Sequence, residues 1–381
     1  MTVGPTQDPR AGGSARVVTV GETMALLHSE GIGSLAHART MTIGIGGAES
    51  NLAIGLRRLG VPVAWVSRVG ADELGTRVLR ELRAEQVEVR AVVDPDRPTG
   101  LMLKSHPSGG ATTVRYYRSG SAASALDAAA LAGDDGNGLP DDLLAGAEIL
   151  HLTGITPLLS DSAREAVLDL VERARAVGTL ISFDVNLRSA LAPREVAAPL
   201  LARLAAAADI VFGGTDELAL VADALAAEAQ AAGASADARG DAARGGDAGL
   251  GHDTERGGDD SLVRVLHAHG IPEVVEKRGA EGARALAAGG AKGADANTLP
   301  DAELAEVPGL SVDVVDTVGA GDAFVAGYLS ARLEGLDLTA RLARGNECGA
   351  LICTTPGDWE GAAHREDLGR LAAGTADPVA R

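Results

Sequence analysis

The run Val312-Asp313-Val314-Val315-Asp316-Thr317-Val318-Gly319-Ala320-Gly321-Asp322-Ala323-Phe324 carries the most concentrated chemistry of the 381-residue chain. β-Branched residues enter a turn of small residues and an apolar helical pattern leaves it, so the segment reads as strand, glycine turn and helix. Free N–H groups at a helix start, with glycines that admit a ligand, form a cradle for an anion. Asp322 inside such a cradle is unexpected, because like charges repel. At this level two readings stand. Asp322 is an N-cap, or it is a general base that takes a proton from a substrate hydroxyl while the amides of Gly319, Ala320 and Gly321 stabilise a transferring phosphoryl group. A second run, Ile45-Gly46-Gly47-Ala48-Glu49-Ser50-Asn51-Leu52-Ala53, places two glycines before a helix with Asn51 in its first turn. Backbone at Gly46-Gly47 can approach a ligand closely, and Asn51 can donate and accept toward hydroxyls.

The common nucleotide motifs are absent. No G-x-x-x-x-G-K-[ST] occurs, and no H-R-D with D-F-G. Gly44-Ile45-Gly46-Gly47 lacks the G-x-G-x-x-G spacing of a dinucleotide site. Lysine plus arginine is 34 against 53 acidic residues, a net charge of −19 that argues against nucleic-acid binding. No apolar run is long enough for a membrane span, and the first residues lack a signal-peptide layout, so a cytoplasmic location is expected. Cys348 and Cys353 are too few for a disulfide scaffold and read as buried helix residues. Lysine occurs only at Lys104, Lys277 and Lys292 in a chain rich in alanine, glycine and arginine.

The elements that must position these residues alternate. Val17–Val20, Val63–Ser67, Ile149–Leu152, Leu180–Phe183, Ile210–Phe212, Glu273–Glu276 and Val312–Val315 read as strands. Ala48–Leu59, Glu73–Glu85, Ser162–Ala176, Val196–Ala207, the stretch from the glycine turn to Leu333, and Leu338–Leu351 read as helices. The alternation predicts an α/β fold with a parallel sheet covered on both faces. Met24–His28, Ala38–Ile43 and a hairpin of Thr99–Ser105 with Thr112–Arg118 do not fit that layer and predict a small separate sheet; Ala283–Val307 predicts another hairpin. Residues 1–15 and 372–381 read as tails. Residues 223–260, rich in Ala, Gly, Asp and Arg, read as a mobile insertion whose first part could extend a helix.

Together, Gly46-Gly47-x-x-x-Asn51-x-Ala53 and Asp316-Thr317-x-Gly319-Ala320-Gly321-Asp322-Ala323-Phe324 resemble the two signatures of the ribokinase-like, PfkB-type sugar kinases. The resemblance covers about Val17 to Leu371 apart from the insertion. It implies a three-layer α/β/α sandwich with a small β-sheet lid within about 24–46 and 97–118, ATP and Mg2+ as cofactors, Asp322 as base and Gly319–Asp322 as anion hole. Lys277, Gly279 and Gly282 fall on the family's K-x-G-x-x-G nucleotide loop, and Asn346 on a position lining the nucleotide base. Glu217 falls on an N-x-x-E motif that organises magnesium through water, although Gly214 stands where the family has Asn.

The acceptor is a separate question, since a fold does not fix it. Val114–Ser124, Gly21-Glu22, Asp184-Val185-Asn186-Leu187-Arg188 and Gly357-Asp358-Trp359-Glu360-Gly361-Ala362 resemble segments of 2-keto-3-deoxygluconate kinases. That resemblance implies phosphorylation of the 6-hydroxyl of this keto-deoxy acid and places Asn186 among the nucleotide-binding residues. It also places Asp358 with Gly47 and Asn51 at the sugar hydroxyls. The residue chemistry agrees: a sugar-acid carboxylate wants arginine donors, which Arg118 and Arg188 offer beside Tyr116. Met102 stands where related kinases often carry a tyrosine, and a thioether cannot donate a hydrogen bond. A neutral-sugar kinase (fructokinase or ribokinase) and a non-catalytic sugar-acid sensor on the same fold are the competing readings. Exposed lid edges predict pairing of two copies into a homo-oligomer.

Overall fold

A computed structural model describes residues 15–106, 113–132, 138–240, 261–288 and 302–371. In chain order the strands are β1 (Val17–Val20), β2 (Met24–Ile32), β3 (Thr42–Gly46), β4 (Val63–Gly70), β5 (Glu88–Asp94), β6 (Leu101–His106), β7 (Thr113–Tyr117), β8 (Ile149–Thr153), β9 (Leu180–Asp184), β10 (Ile210–Gly214), β11 (Glu273–Lys277), β12 (Ala283–Ala287) and β13 (Glu303–Val307). The helices are α1 (Ala48–Arg58), α2 (Glu73–Ala84), α3 (Ala128–Ala132), α4 (Asp141–Gly146), α5 (Asp161–Val177), α6 (Arg194–Ala207), α7 (Thr215–Gly240), α8 (Leu262–Ala268), α9 (Ala320–Leu333) and α10 (Leu338–Ile352).

Nine strands form one sheet in the order β13-β12-β11-β10-β9-β8-β1-β4-β5. From β5 to β11 all neighbours are parallel; β12 and β13 close one edge as an antiparallel hairpin. Because side chains alternate along a strand, β-branched and aliphatic strands feed two cores at once. Val18, Leu150, Ile181 and Val211 face α5, α6, α7 and α8. Val17, Ile149, Ile210 and Phe212 face α1, α2, α9 and α10. This is the three-layer α/β/α sandwich expected from the alternation. A separate four-stranded sheet, β3-β2-β6-β7, stands apart from it, with β2 and β6 parallel and the two outer pairs antiparallel.

Helix boundaries follow ordinary capping chemistry. Asp72, Ser160 and Asp337 accept from backbone amides at the starts of α2, α5 and α10, and Gly178 ends α5 in the left-handed region.

One sequence expectation is corrected. Val312–Val315 is not a strand: among the described residues no strand pairs with it, and the amides of Val315 and Asp316 donate to the carbonyl of Cys353 instead. β-Branched composition favours extended backbone but does not supply a pairing partner. As expected for the first part of the 223–260 segment, α7 continues through it without interruption to Gly240; alanine propensity outweighs the lack of large apolar residues there. The remainder, 241–260, and the tails 1–14 and 372–381 lie outside the described residues. Strands β2 and β3 also end later than expected, and β5, α3 and α4 carried no strong periodic signal. Both cysteines are free and buried, Cys348 within α10 and Cys353 just after it. Among the described residues no helix is long and apolar enough to cross a membrane.

The core on the α9 side is built around fully buried Phe212, whose ring meets Tyr328 edge-on at 5.2 Å between centroids. Phe212→Ala is expected to cost about 3–5 kcal/mol of stability, as large-to-small aromatic changes in cores do. Urea denaturation of the two proteins checks it.

Candidate functional site

Two helices from opposite ends of the chain deliver the central pair. Helices α1 and α9 pack closely where Gly55 leaves room for Ala326. Their N-termini thereby meet, and Asn51 Nδ2 donates to Asp322 Oδ2 at 2.9 Å. Gly319 precedes α9 at φ +80°, and a Cβ there would collide with the backbone carbonyl of Asp358, so only glycine makes this turn. Gly47 approaches the backbone of Glu22 and Thr23 as closely, and its amide points to Asn51 Oδ1 at 3.4 Å.

Asp322 is not an N-cap. Gly319 occupies that position, and no side chain caps the helix. Burial pushes the Asp322 carboxyl up, the Asn51 hydrogen bond and the Arg188 charge oppose this, and Asp184 adds to it, leaving the group at about 7. A carboxyl with that value, at a helix start lined by free amides, is poised to exchange a proton near neutrality.

A cavity of about 520 Å³ opens on one side of this turn. Lys277, Gly279, Gly282, Gly321 and Asn346 line it, together with apolar Leu310, Val312, Val314 and Ala350. Val314 is thus an exposed apolar residue with a reason: it walls the cavity. Gly279 and Gly282 have φ of +56° and +103°, so the loop after β11 needs both glycines. Asn346 Nδ2 donates to the carbonyls of Val307 and Pro308, tying α10 to the end of the edge hairpin.

Lys277 Nζ lies 2.6 Å from Asp184 Oδ2. Burial disfavours its charge, but the Asp184 and Glu217 carboxylates outweigh this and raise its pKa. Asp184 Oδ1 is buried with no hydrogen-bond partner in the protein. Glu217 accepts from the amides of Leu187 and Gly214, both at 2.8 Å. At the position where the expected motif has asparagine, the backbone amide of Gly214 holds the glutamate, and no side chain is added. Asn186 sits between, buried, at an unusual φ of +37°, and Arg188 is exposed. No group of three or more His, Cys, Asp or Glu among the described residues is arranged to hold a metal directly.

The second sheet covers the other side. Arg118 follows β7 and is buried against Glu22, with Nε and Nη2 both on Oε2 at 2.6 and 2.5 Å; Ser121 donates to the other oxygen. Its guanidinium lies 5.6 Å from the half-exposed Tyr116 ring. The two arginines expected at the carboxylate thus differ in setting: Arg118 arrives already paired with Glu22, and Arg188 is exposed. Met102 on β6 is buried with Met24 and Leu26 and reaches Gly46, where Asp358 Oδ2 also lies.

Four residues of the site stand in the sequence without an assigned role: Asp184, Glu22, Lys104 and Glu49. Lys104 Nζ contacts Asp358 Oδ1 at 2.8 Å and Asp316 Oδ2 at 2.5 Å. Glu49 is buried, accepts from Thr153 and Thr156, and has its pKa raised by burial. The scarcity of lysine was a usable signal for Lys104, and Glu22, Asp184 and Glu49 lie in runs already singled out; their partners, far along the chain, could not be read from those runs.

The Asp322 value has a stability consequence. In the unfolded chain its carboxyl titrates near 3.8, so as pH rises from there to about 7 the folded state alone retains the proton, and stability falls. Asp322→Asn removes the penalty. The variant is expected to match the wild type near pH 4 and to exceed it by about 1–4 kcal/mol at pH 8, a difference read by denaturant melts at both values.

Residues 14–243 and 251–364 match the profile of the pfkB family of carbohydrate kinases. The chain is 36% identical over 355 residues to a 2-dehydro-3-deoxygluconokinase of Bacillus subtilis, covering 92% of this chain and 93% of that one. It is 29% identical to a 2-dehydro-3-deoxygalactonokinase of Haloferax volcanii, over 91% and 93% of the two chains. Among solved structures, a PfkB protein from Polaromonas sp. superposes with a TM-score of 0.72 at 30% identity, over 93% and 99% of the chains.

Proposed function

The chain belongs to the pfkB family of carbohydrate kinases and is an ATP-dependent sugar kinase; on that premise we propose that its acceptor is 2-keto-3-deoxygluconate, phosphorylated at the 6-hydroxyl. The observation that carries the chemistry is the buried Asp322 carboxyl at about 7, hydrogen-bonded to Asn51 at the mouth of the α9 amides. The observation that favours the acid is the similarity to two keto-deoxy-acid kinases, joined to the exposed Arg188 close enough to Asp322 to lower its pKa.

In this reading ATP occupies the 520 Å³ cavity, its base against Val314, Ala350 and Asn346 and its phosphates toward Gly279, Gly282 and Lys277. Asp322 takes the proton of the acceptor hydroxyl as that oxygen attacks the γ-phosphorus and ADP leaves. The amides of Gly319, Ala320, Gly321 and Asp322 stabilise the charge on the transferring group. Gly47, Asn51 and Asp358 meet the sugar hydroxyls. Arg188, with Tyr116 and the Glu22-fixed Arg118, meets the carboxylate, and Met102 closes the pocket without adding a donor. The orphaned Asp184 Oδ1 and the amide-fixed Glu217, both with lone pairs to spare, fit a hydrated Mg2+. Bound there, the ion would neutralise charge on the phosphates of ATP. Exposed Ile43, Tyr116 and Tyr117 on the second sheet favour pairing of two copies through that sheet.

The neutralisation of Arg118 by Glu22 favours one second reading, a neutral-sugar acceptor. ADP release measured with 2-keto-3-deoxygluconate, 2-keto-3-deoxygalactonate, fructose and ribose separates the two. A kcat/KM for the keto acids about a hundredfold above the sugars, roughly 2.7 kcal/mol, is expected; preference for a neutral sugar overturns the acid reading. Asp322→Asn is expected to lose about 10²–10⁴-fold in kcat, and wild-type kcat/KM to rise with pH to a plateau above about 7. Arg188→Gln is expected to raise KM for the keto acid about tenfold or more with KM for ATP unchanged. Its pH midpoint should move upward, since a charge holding the Asp322 pKa down is gone.

A further inference from the structure

Lys104 is brought by the second sheet, yet its ammonium is buried in the main body. Only 3% of its side chain is exposed, and both of its partners, Asp316 and Asp358, are buried as well. Both aspartates also touch the turn that forms the anion cradle. Asp316 Oδ1 accepts from the amide of Val318, immediately before Gly319, at 3.2 Å. The backbone carbonyl of Asp358 occupies the space a Cβ at Gly319 would need. Without a cation between them, two buried carboxylates facing one point must part, take up a proton or admit water. Glu360 lies near Asp358 and adds to the negative charge there. The stem of Lys104 leaves β6 on the same side as Met102, with Val114 of β7 and His28 of β2 as its register partners. Sheet position and turn geometry therefore share one ion.

We propose that Lys104 is a positioning residue for phosphoryl transfer, its ammonium clamping Asp316 to Asp358 so that the Gly319–Asp322 turn takes its anion-binding shape when the second sheet is seated on the body. The clamp rests on the reading of that turn as the anion cradle, and it does not depend on which acceptor is used. Lys104 contacts no reacting atom; it acts through the two aspartates.

The test compares wild type, Lys104→Ala and Lys104→Met on whichever acceptor the wild type phosphorylates, so failure of the keto-acid reading is seen in the wild type alone. Lys104→Ala is expected to lose about 10- to 100-fold in kcat, the scale of an ångström-level misplacement, with KM for ATP changed less than about threefold. Added methylammonium should restore at least about tenfold of the loss in Lys104→Ala, while equal KCl should not. Lys104→Met fills the space without the charge; it should show the same kcat loss and no rescue, with a melting temperature below that of the wild type because the two aspartates lose their cation. Unchanged kcat in either folded variant overturns the proposal, as does a loss in folded Lys104→Ala that methylammonium leaves untouched. If Lys104→Ala does not fold, Lys104→Met decides: a kcat loss at unchanged KM for ATP supports the clamp, and wild-type kcat overturns it.

Discussion

Everything at the centre of this molecule depends on keeping one carboxyl out of water while leaving it a single good donor. Asp322 is buried at a helix start, where free amides favour negative charge and desolvation disfavours it. The balance falls near neutrality because Asn51 contributes one hydrogen bond and not two or three. More donors would leave a carboxylate too weak to take a proton; none would leave it protonated. The parallel sheet serves this balance by fixing α1 and α9 against the same face, so that Gly47 and Gly319 expose two helix starts to one point.

The surrounding charges form pairs that repeat the same logic at larger scale. Lys277 with Asp184, Arg118 with Glu22, and Lys104 with Asp316 and Asp358 each bring a cation and carboxylates out of water together. Buried pairs of this kind add little net stability against apolar replacements, but losing one partner is costly because the other is stranded. They specify geometry. Each also joins elements distant in sequence: a sheet to a loop, one strand to another two places away.

That distance explains what could be read from the chain beforehand. Local periodicity disclosed the layers, because Leu52 and Leu56 or Val78 and Leu82 declare a helix face within a few residues. Asp322 and Asn51 were legible through glycine-rich runs whose spacing is local. The Asn51–Asp322 bond itself, across 271 positions, was not. Nor was the pairing of Arg118 with Glu22, which leaves one of the two arginines buried and the other exposed. Val312–Val315 failed in the opposite way: its composition spoke for a strand, and only the tertiary fold decided that the carbonyl of Cys353 would take its amides.

The inequality of the two arginines bears on how such an enzyme can diverge. Arg118 is locked to Glu22, so replacing it strands a buried carboxylate and carries a folding cost. Arg188 is exposed and carries no such debt. If Arg188 meets the acceptor as proposed, a lineage can change the charge it recognises by altering one surface position, leaving Asp322 and the buried pairs as they were. Acceptor preference would then be free to drift faster than the chemistry it serves.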